Sequence, residues 1–200
     1  MSTLLMALGL FSVTGLNGWE PLGFKKLAPT AYQLVKDGQT QVLRADCRNS
    51  ASGYLYKGEI DLRRSPILEW RWKISGVYAG INEREKTGDD FPARVYVLRD
   101  GGLALWRTRS LVYGWASTQP QGSDWPNPYA SQAHMLALQS GNAKAGTWQI
   151  QRRDLRADFK RYFDLDVEKL DGVALMSDCD GGDGRRSARA WYGDVKLVSR

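Results

Sequence analysis

Turn signals punctuate this chain every few residues, and the runs between them alternate apolar with polar. In "PILEWRWKISGV", Leu68, Trp70 and Trp72 fall on one face and Glu69, Arg71 and Lys73 on the other, the period of a half-buried strand. "AYQLVKDGQTQVLRADC" reads as a hairpin joined at Asp37-Gly38, a dipeptide suited to a tight primed turn. "SGYLYKGEIDL", "ARVYVLRD", "LALWRTRSLVYGWAS", "HMLALQSG", "GTWQIQRRD", "GVALMSD" and "ARAWYGDVKLVS" continue the pattern. One segment breaks it. In "DLRADFKRYFDLD", Asp154 is placed to cap a helix in which Leu155, Phe159, Tyr162 and Phe163 share a face. The expected fold is all-β: a two-sheet antiparallel β-sandwich of jelly-roll type, with one short helix near residues 154–163.

Eight Trp, nine Tyr and 21 Gly in 200 residues suit one β-rich domain large enough to bury its own core. Residues 10–200 are expected to form it, with residues 1–9 disordered or a signal remnant. "LLMALGLFSV" has the apolar character of a secretory signal but no preceding Lys or Arg, and it is too short to span a bilayer. The competing reading makes Leu10–Val13 the first strand. The formal charge of +6 admits an anionic partner, yet Lys and Arg never run longer than two, so nucleic acid is not expected. Two cysteines without metal-ligand spacing and a single His give no zinc site. Cys47 and Cys179 are read as unpaired, small buried hydrophobes, with a disulfide as the alternative should the chain be exported.

Three stretches carry candidate chemistry. In "GDDFPARVYV", Pro92 belongs at a strand start, which sends Arg94 and Tyr96 to one face and Val95 and Val97 to the other. Asp89, Asp90, Arg94 and Tyr96 then stand together on a partly exposed face. A salt bridge pinning the strand end, contact with a sugar or anion, and paired-carboxylate catalysis all compete for them. In "SDCDGGDG", Asp178, Asp180 and Asp183 make an oxygen-rich loop of the kind calcium prefers. The spacing is not that of an EF-hand, and an Asp-rich turn between the last two strands is the alternative. In "YGWASTQPQGSDWPNPYAS", Trp115, Trp125 and Tyr129 are candidate platforms for sugar rings, packing residues otherwise. His134 lacks a Ser or Cys in a nucleophile motif, so a catalytic triad is unsupported.

The succession "GWEP", "ASGYLY", "LEWRWK", "GDDFPARVYV", "YGWAS…WPNPY", "LQSG…GTWQIQRRDLRADF", "GVALMSDCD" and "WYGDVKL" resembles, in order, a bacterial family of exported proteins known as domain of unknown function three-zero-four-seven. The resemblance implies a secreted or periplasmic β-sandwich in the style of carbohydrate-binding jelly rolls, and it carries over no catalytic residue. It also implies that Phe11-Ser12 and Gly18-Trp19 belong to the mature domain. The family's usual Asp-Thr-Asp-Asn is here Asp178-Cys179-Asp180-Gly181.

These readings converge on a non-enzymatic envelope or periplasmic sandwich that binds a carbohydrate or acidic polymer through Asp89, Asp90, Arg94, Tyr96, Trp115, Trp125 and Tyr129. A jelly-roll polysaccharide lyase or glycosidase is the second reading, and an assembly subunit binding protein through a sheet face the third. No cofactor is required, and calcium is the candidate ion.

Overall fold

The computed structural model describes residues 8–9, 15–102 and 108–200. Its strands, in chain order, are β1 (Leu8–Gly9), β2 (Trp19–Gly23), β3 (Ala31–Asp37), β4 (Thr40–Arg48), β5 (Ala51–Asp61), β6 (Ile67–Ile74) and β7 (Arg94–Arg99). They continue with β8 (Arg109–Ala116), β9 (Asp124–Pro126), β10 (Ala133–Ser140) and β11 (Gln149–Asp154). The helix α1 (Leu155–Phe163) precedes β12 (Lys169–Asp178) and β13 (Ser187–Val198). One sheet has the order β11-β6-β13-β4-β3, with β1 on β13; the other runs β2-β5-β12-β7-β8-β10-β9. The fold is the expected sandwich with one α-helix among the described residues. The expected strand at Leu10–Val13 and the run Leu103–Arg107 lie outside the described residues.

Alternation dictates which side chains meet between the sheets. Trp70 and Trp72, as expected, are buried, and each packs across the gap: Trp70 on Tyr113 at 5.5 Å and Trp72 on Trp115 at 6.0 Å between ring centroids. Val95, Val97, Val173 and Leu175 face them from the other sheet, fully buried. At about 1.5–3 kcal/mol for each fully buried large apolar side chain, this layer dominates the stability of the fold. Asp154 caps α1 by accepting from the Ala157 N–H at 3.1 Å, and Leu155 and Phe159 enter the core. Asp158, buried beside them, is held by the Tyr113 hydroxyl at 2.7 Å and by Arg153.

The hairpin forms where expected, with Asp37 opposite Thr40 and Gly38 at φ +63°. One pairing departs from the antiparallel expectation: β8 and β10 run parallel. Parallel neighbours need a crossover, and residues 117–132 make it, passing through the edge strand β9 on the far side of β10; this Pro-rich stretch brings Asn127 and Tyr129 to the face that carries Arg94 and Tyr96.

The cysteines also depart from expectation. Cys47 at the end of β4 and Cys179 just after β12 are joined in a disulfide, 132 residues apart in sequence. Spacing along the chain gave no sign of this, because the two positions end strands of different sheets and meet through the packing of those sheets, not through sequence proximity. No helix among the described residues is long and apolar enough to cross a membrane.

Candidate functional site

Alternation along β7 puts Arg94 and Tyr96 on the outer face of the seven-stranded sheet, with Val95 and Val97 buried behind them. Arg94 lies next to Gly114 of β8 and Met176 of β12. Gly114 is required here: a Cβ would meet the Phe91 ring at 2.7 Å. Phe91 therefore lies over the sheet and covers Arg94, whose guanidinium carbon is 5.1 Å from the ring. The expected partly exposed Arg94 is corrected: the residue is 3% exposed.

Buried, the guanidinium needs carboxylates, and it has two. It donates to Asp89 Oδ1 at 3.3 Å and to Asp178 Oδ2. Asp89 also accepts from Asn127 at 3.1 Å, and Asp178 from the Phe91 N–H at 3.1 Å. Arg94 Nε has no hydrogen-bond partner among the described residues. Asp90 turns away from Arg94 to accept from Arg186 and from the Gly181 N–H at 3.0 Å. Burial pushes the Asp178 carboxyl well up, against the pull of Arg94, with Asp90 and Asp89 adding to the rise. Burial likewise raises Asp89. Asp180 is raised by partial burial and then by Asp90.

A cleft of about 460 Å³ opens above this network. Arg94, Tyr96, Met176 and Ser110 contribute to its floor, and Asp89, Asp90, Asp178 and Asp180 stand at one end. Phe24 and Leu27, from the β2–β3 connection, flank it together with Tyr129 of the crossover. Tyr129 is 65% exposed; its hydroxyl donates to the Lys86 carbonyl at 2.8 Å and the Lys86 ammonium lies 5.5 Å from its ring. Asn127 fixes the turn below by accepting from the N–H groups of Tyr129 and Ala130 at 2.9 and 3.0 Å.

Several sequence candidates lie elsewhere. Trp115 is in the core, its indole donating to the Gly141 carbonyl at 3.1 Å. Trp125 is 2% exposed, stacked on Phe91, covered by Arg84 and held through its indole N–H to the Glu83 carbonyl at 3.2 Å. Trp115 is on the inner face of β8, against Trp72, and the crossover folds Trp125 back onto Phe91, so both rings become packing. Asp183 pairs with Arg185 on the surface at 3.5 Å, and Asp90 takes its place: ligand oxygens of Asp90, Asp178 and Asp180 lie within 4.8 Å of one another. That set does not fit a hard cation as it stands, because Arg94 and Arg186 already occupy Asp178 and Asp90. Sequence reasoning missed Phe24 and Leu27. The available signal was "LGFKKLA", where two large apolar residues flank a Lys pair outside any strand pattern.

No functionally curated protein matches the chain significantly. Among solved structures, the family 11 carbohydrate-binding module of the cellulosomal cellulase Lic26A-Cel5E of Clostridium thermocellum is similar, with a TM-score of 0.53 and 10% identity over 99% of this chain and 97% of that one. The family 30 module of the cellulosomal cellulase CEL9D-CEL44B of Clostridium thermocellum follows at a TM-score of 0.49 and 14% identity, over 98% and 99%. Endoglucanase 3 of Trichoderma harzianum, from glycoside hydrolase family 12, has a TM-score of 0.49 and 10% identity, over 100% and 99%. The first shares the fold with this chain; the other two are too distant to argue from. The model of the family described as "Protein of unknown function (DUF3047)" matches residues 17–196, nearly the whole sequence, and the chain belongs to that family.

Proposed function

We propose that this protein is a non-enzymatic carbohydrate-binding β-sandwich, exported from the cell, that seats sugar in the cleft between Phe24, Leu27 and Tyr129. One observation carries the reading. Among the described residues, the large hydrophobic side chains left exposed are Phe24, Leu27, Tyr129 and Ile150, and all but Ile150 line this one cleft. Apolar groups converging around a few polar ones mark a ligand site. A sugar ring offers an apolar C–H face to Tyr129 and Phe24 and hydroxyls to Asp180, Lys86 and Ser110. Carboxylates outnumber cations along the cleft, and Arg94 is committed to them, which favours an uncharged sugar here over an acidic one. The fold shared with a carbohydrate-binding module supports the reading without lending it any residue. The disulfide suits an oxidising compartment, the periplasm or the exterior.

Binding on a glycan array, with and without calcium, tests this. Uncharged glycans should bind equally in both conditions, and the Phe24→Ala/Tyr129→Ala variant should lose them. A folded protein that retains no glycan above background would end the reading.

A second reading draws on Asp180. A half-buried carboxyl raised by its surroundings and close to a second carboxylate is the arrangement from which an acid and a nucleophile are made. Release of new reducing ends from a bound glycan would establish a glycosidase; intact glycan after prolonged incubation would leave binding alone.

A further inference from the structure

On the six-stranded sheet's side of the disulfide lies a second cavity, of about 480 Å³, whose lining has the opposite charge to the cleft. Arg48, Arg185, Arg186 and Arg189 line it, with Asp46 as the one carboxylate among its lining residues. Asp46 is already shared between Arg44 and Arg189, both at 2.8 Å. The Arg48 guanidinium has no partner among the described residues, and the Arg185 guanidinium makes one long contact, to Asp183 at 3.5 Å. Arg186 is turned the other way, onto Asp90 and the Thr87 carbonyl. The cavity therefore holds an excess of guanidinium donors that the protein does not use.

The backbone shapes the space. Gly184 and Asn49, both in the left-handed region at φ +73° and +45°, approach so closely that a Cβ on Gly184 would lie 3.3 Å from the Asn49 side chain. That approach draws the loop carrying Arg185 over the end of β4 carrying Arg48. We infer that this cavity is a binding site for the oxyanion groups, sulfate esters or carboxylates, of an acidic polysaccharide. Guanidinium forks match such groups bidentately. Exposed guanidiniums held at a shared opening gain most from a ligand with several linked anions, because each contact alone is screened by salt. The net charge of +6, which the acidic cleft does not explain, finds its use here. This site stands independently of what the cleft binds.

Dextran sulfate and uncharged dextran are the probes, titrated into the whole protein by calorimetry beside inorganic sulfate. The expected result is binding of dextran sulfate, weakened by salt, with no binding of dextran. Arg48→Ala/Arg185→Ala should weaken it by about tenfold or more at an unchanged melting temperature. Lys57→Ala/Arg64→Ala, which removes the same charge from exposed positions outside the cavity lining, should keep wild-type affinity. Equal losses in the two double variants would reduce the effect to bulk charge and overturn the site. Inorganic sulfate binding as tightly as the polymer would overturn the polymeric ligand, and an absence of dextran sulfate binding would overturn both.

Discussion

Arg94 on β7 donates to Asp178 at the end of β12, 84 positions away in sequence, and both side chains are buried. A buried pair of this kind contributes little net stability while intact, but either partner left alone is costly. Arg94→Ala strands Asp178 and Asp89 in a dehydrated site. Denaturant unfolding should show a loss of about 3–5 kcal/mol, far above the roughly 0–1 kcal/mol of an exposed pair. Loss in the lower range would mean that water reaches the network.

Tyr129→Phe keeps the ring and removes the hydroxyl that donates to Lys86; Tyr129→Ala removes both. If the ring is the platform, Tyr129→Phe should retain most of the affinity. Tyr129→Ala should lose about three- to tenfold, the worth of one aromatic contact. Phe24→Ala should lose a similar amount, and neither variant should move the melting temperature much, since both side chains are exposed. Glycan titration of the folded fraction decides it.

How much of this was legible in the sequence follows from the range of each interaction. The helix at 155–163 and the faces of "LEWRWK" and "ARVYVL" were readable because 3.6- and 2-residue periods are local. Arg94 beside Asp89 was readable for the same reason, being five residues apart. Its tie to Asp178 depends on β12 lying next to β7, an order that no local pattern encodes. Trp125 misled because a Trp among prolines looks exposed until the parallel β8–β10 pairing folds the crossover down upon Phe91. Strand order also decided the disulfide, the exchange of Asp183 for Asp90, and Phe24 and Leu27 as cleft walls.

Cys179 stands between Asp178 and Asp180, so the disulfide to Cys47 anchors the acidic end of the cleft as well as the two sheets. Closing a loop of 132 residues restricts the unfolded chain, and losing such a link typically costs roughly 2–5 kcal/mol. Reduction, or Cys47→Ser/Cys179→Ser, should lower the melting temperature by about 2–4 °C per kcal/mol lost. Glycan affinity should fall as well when measured well below that temperature. Unchanged affinity in the folded double variant would separate the clasp from the site.

The pH dependence of stability gives the remaining test, through Asp180. Its carboxyl is raised in the folded protein by partial burial and by Asp90, so the folded state holds this proton more tightly than the unfolded chain does. The contribution is fully present below the ordinary aspartate value of about 3.9 and is lost as pH rises through the raised folded value. At neutral pH the ionised side chain is therefore a burden on the fold. Asp180→Asn removes the burden, so its melting temperature should exceed that of the wild type at pH 7, and the gap should close as pH falls toward 4. Asp178→Asn serves as the contrast: burial raises this carboxyl as well, but the substitution also leaves the buried Arg94 guanidinium with one of its two counterions, and that loss should outweigh the relief and destabilise the variant at pH 7. If Asp180→Asn is instead the less stable protein at pH 7, the carboxylate is stabilised by a contact in solution, and a bound cation becomes the first explanation to test with a chelator.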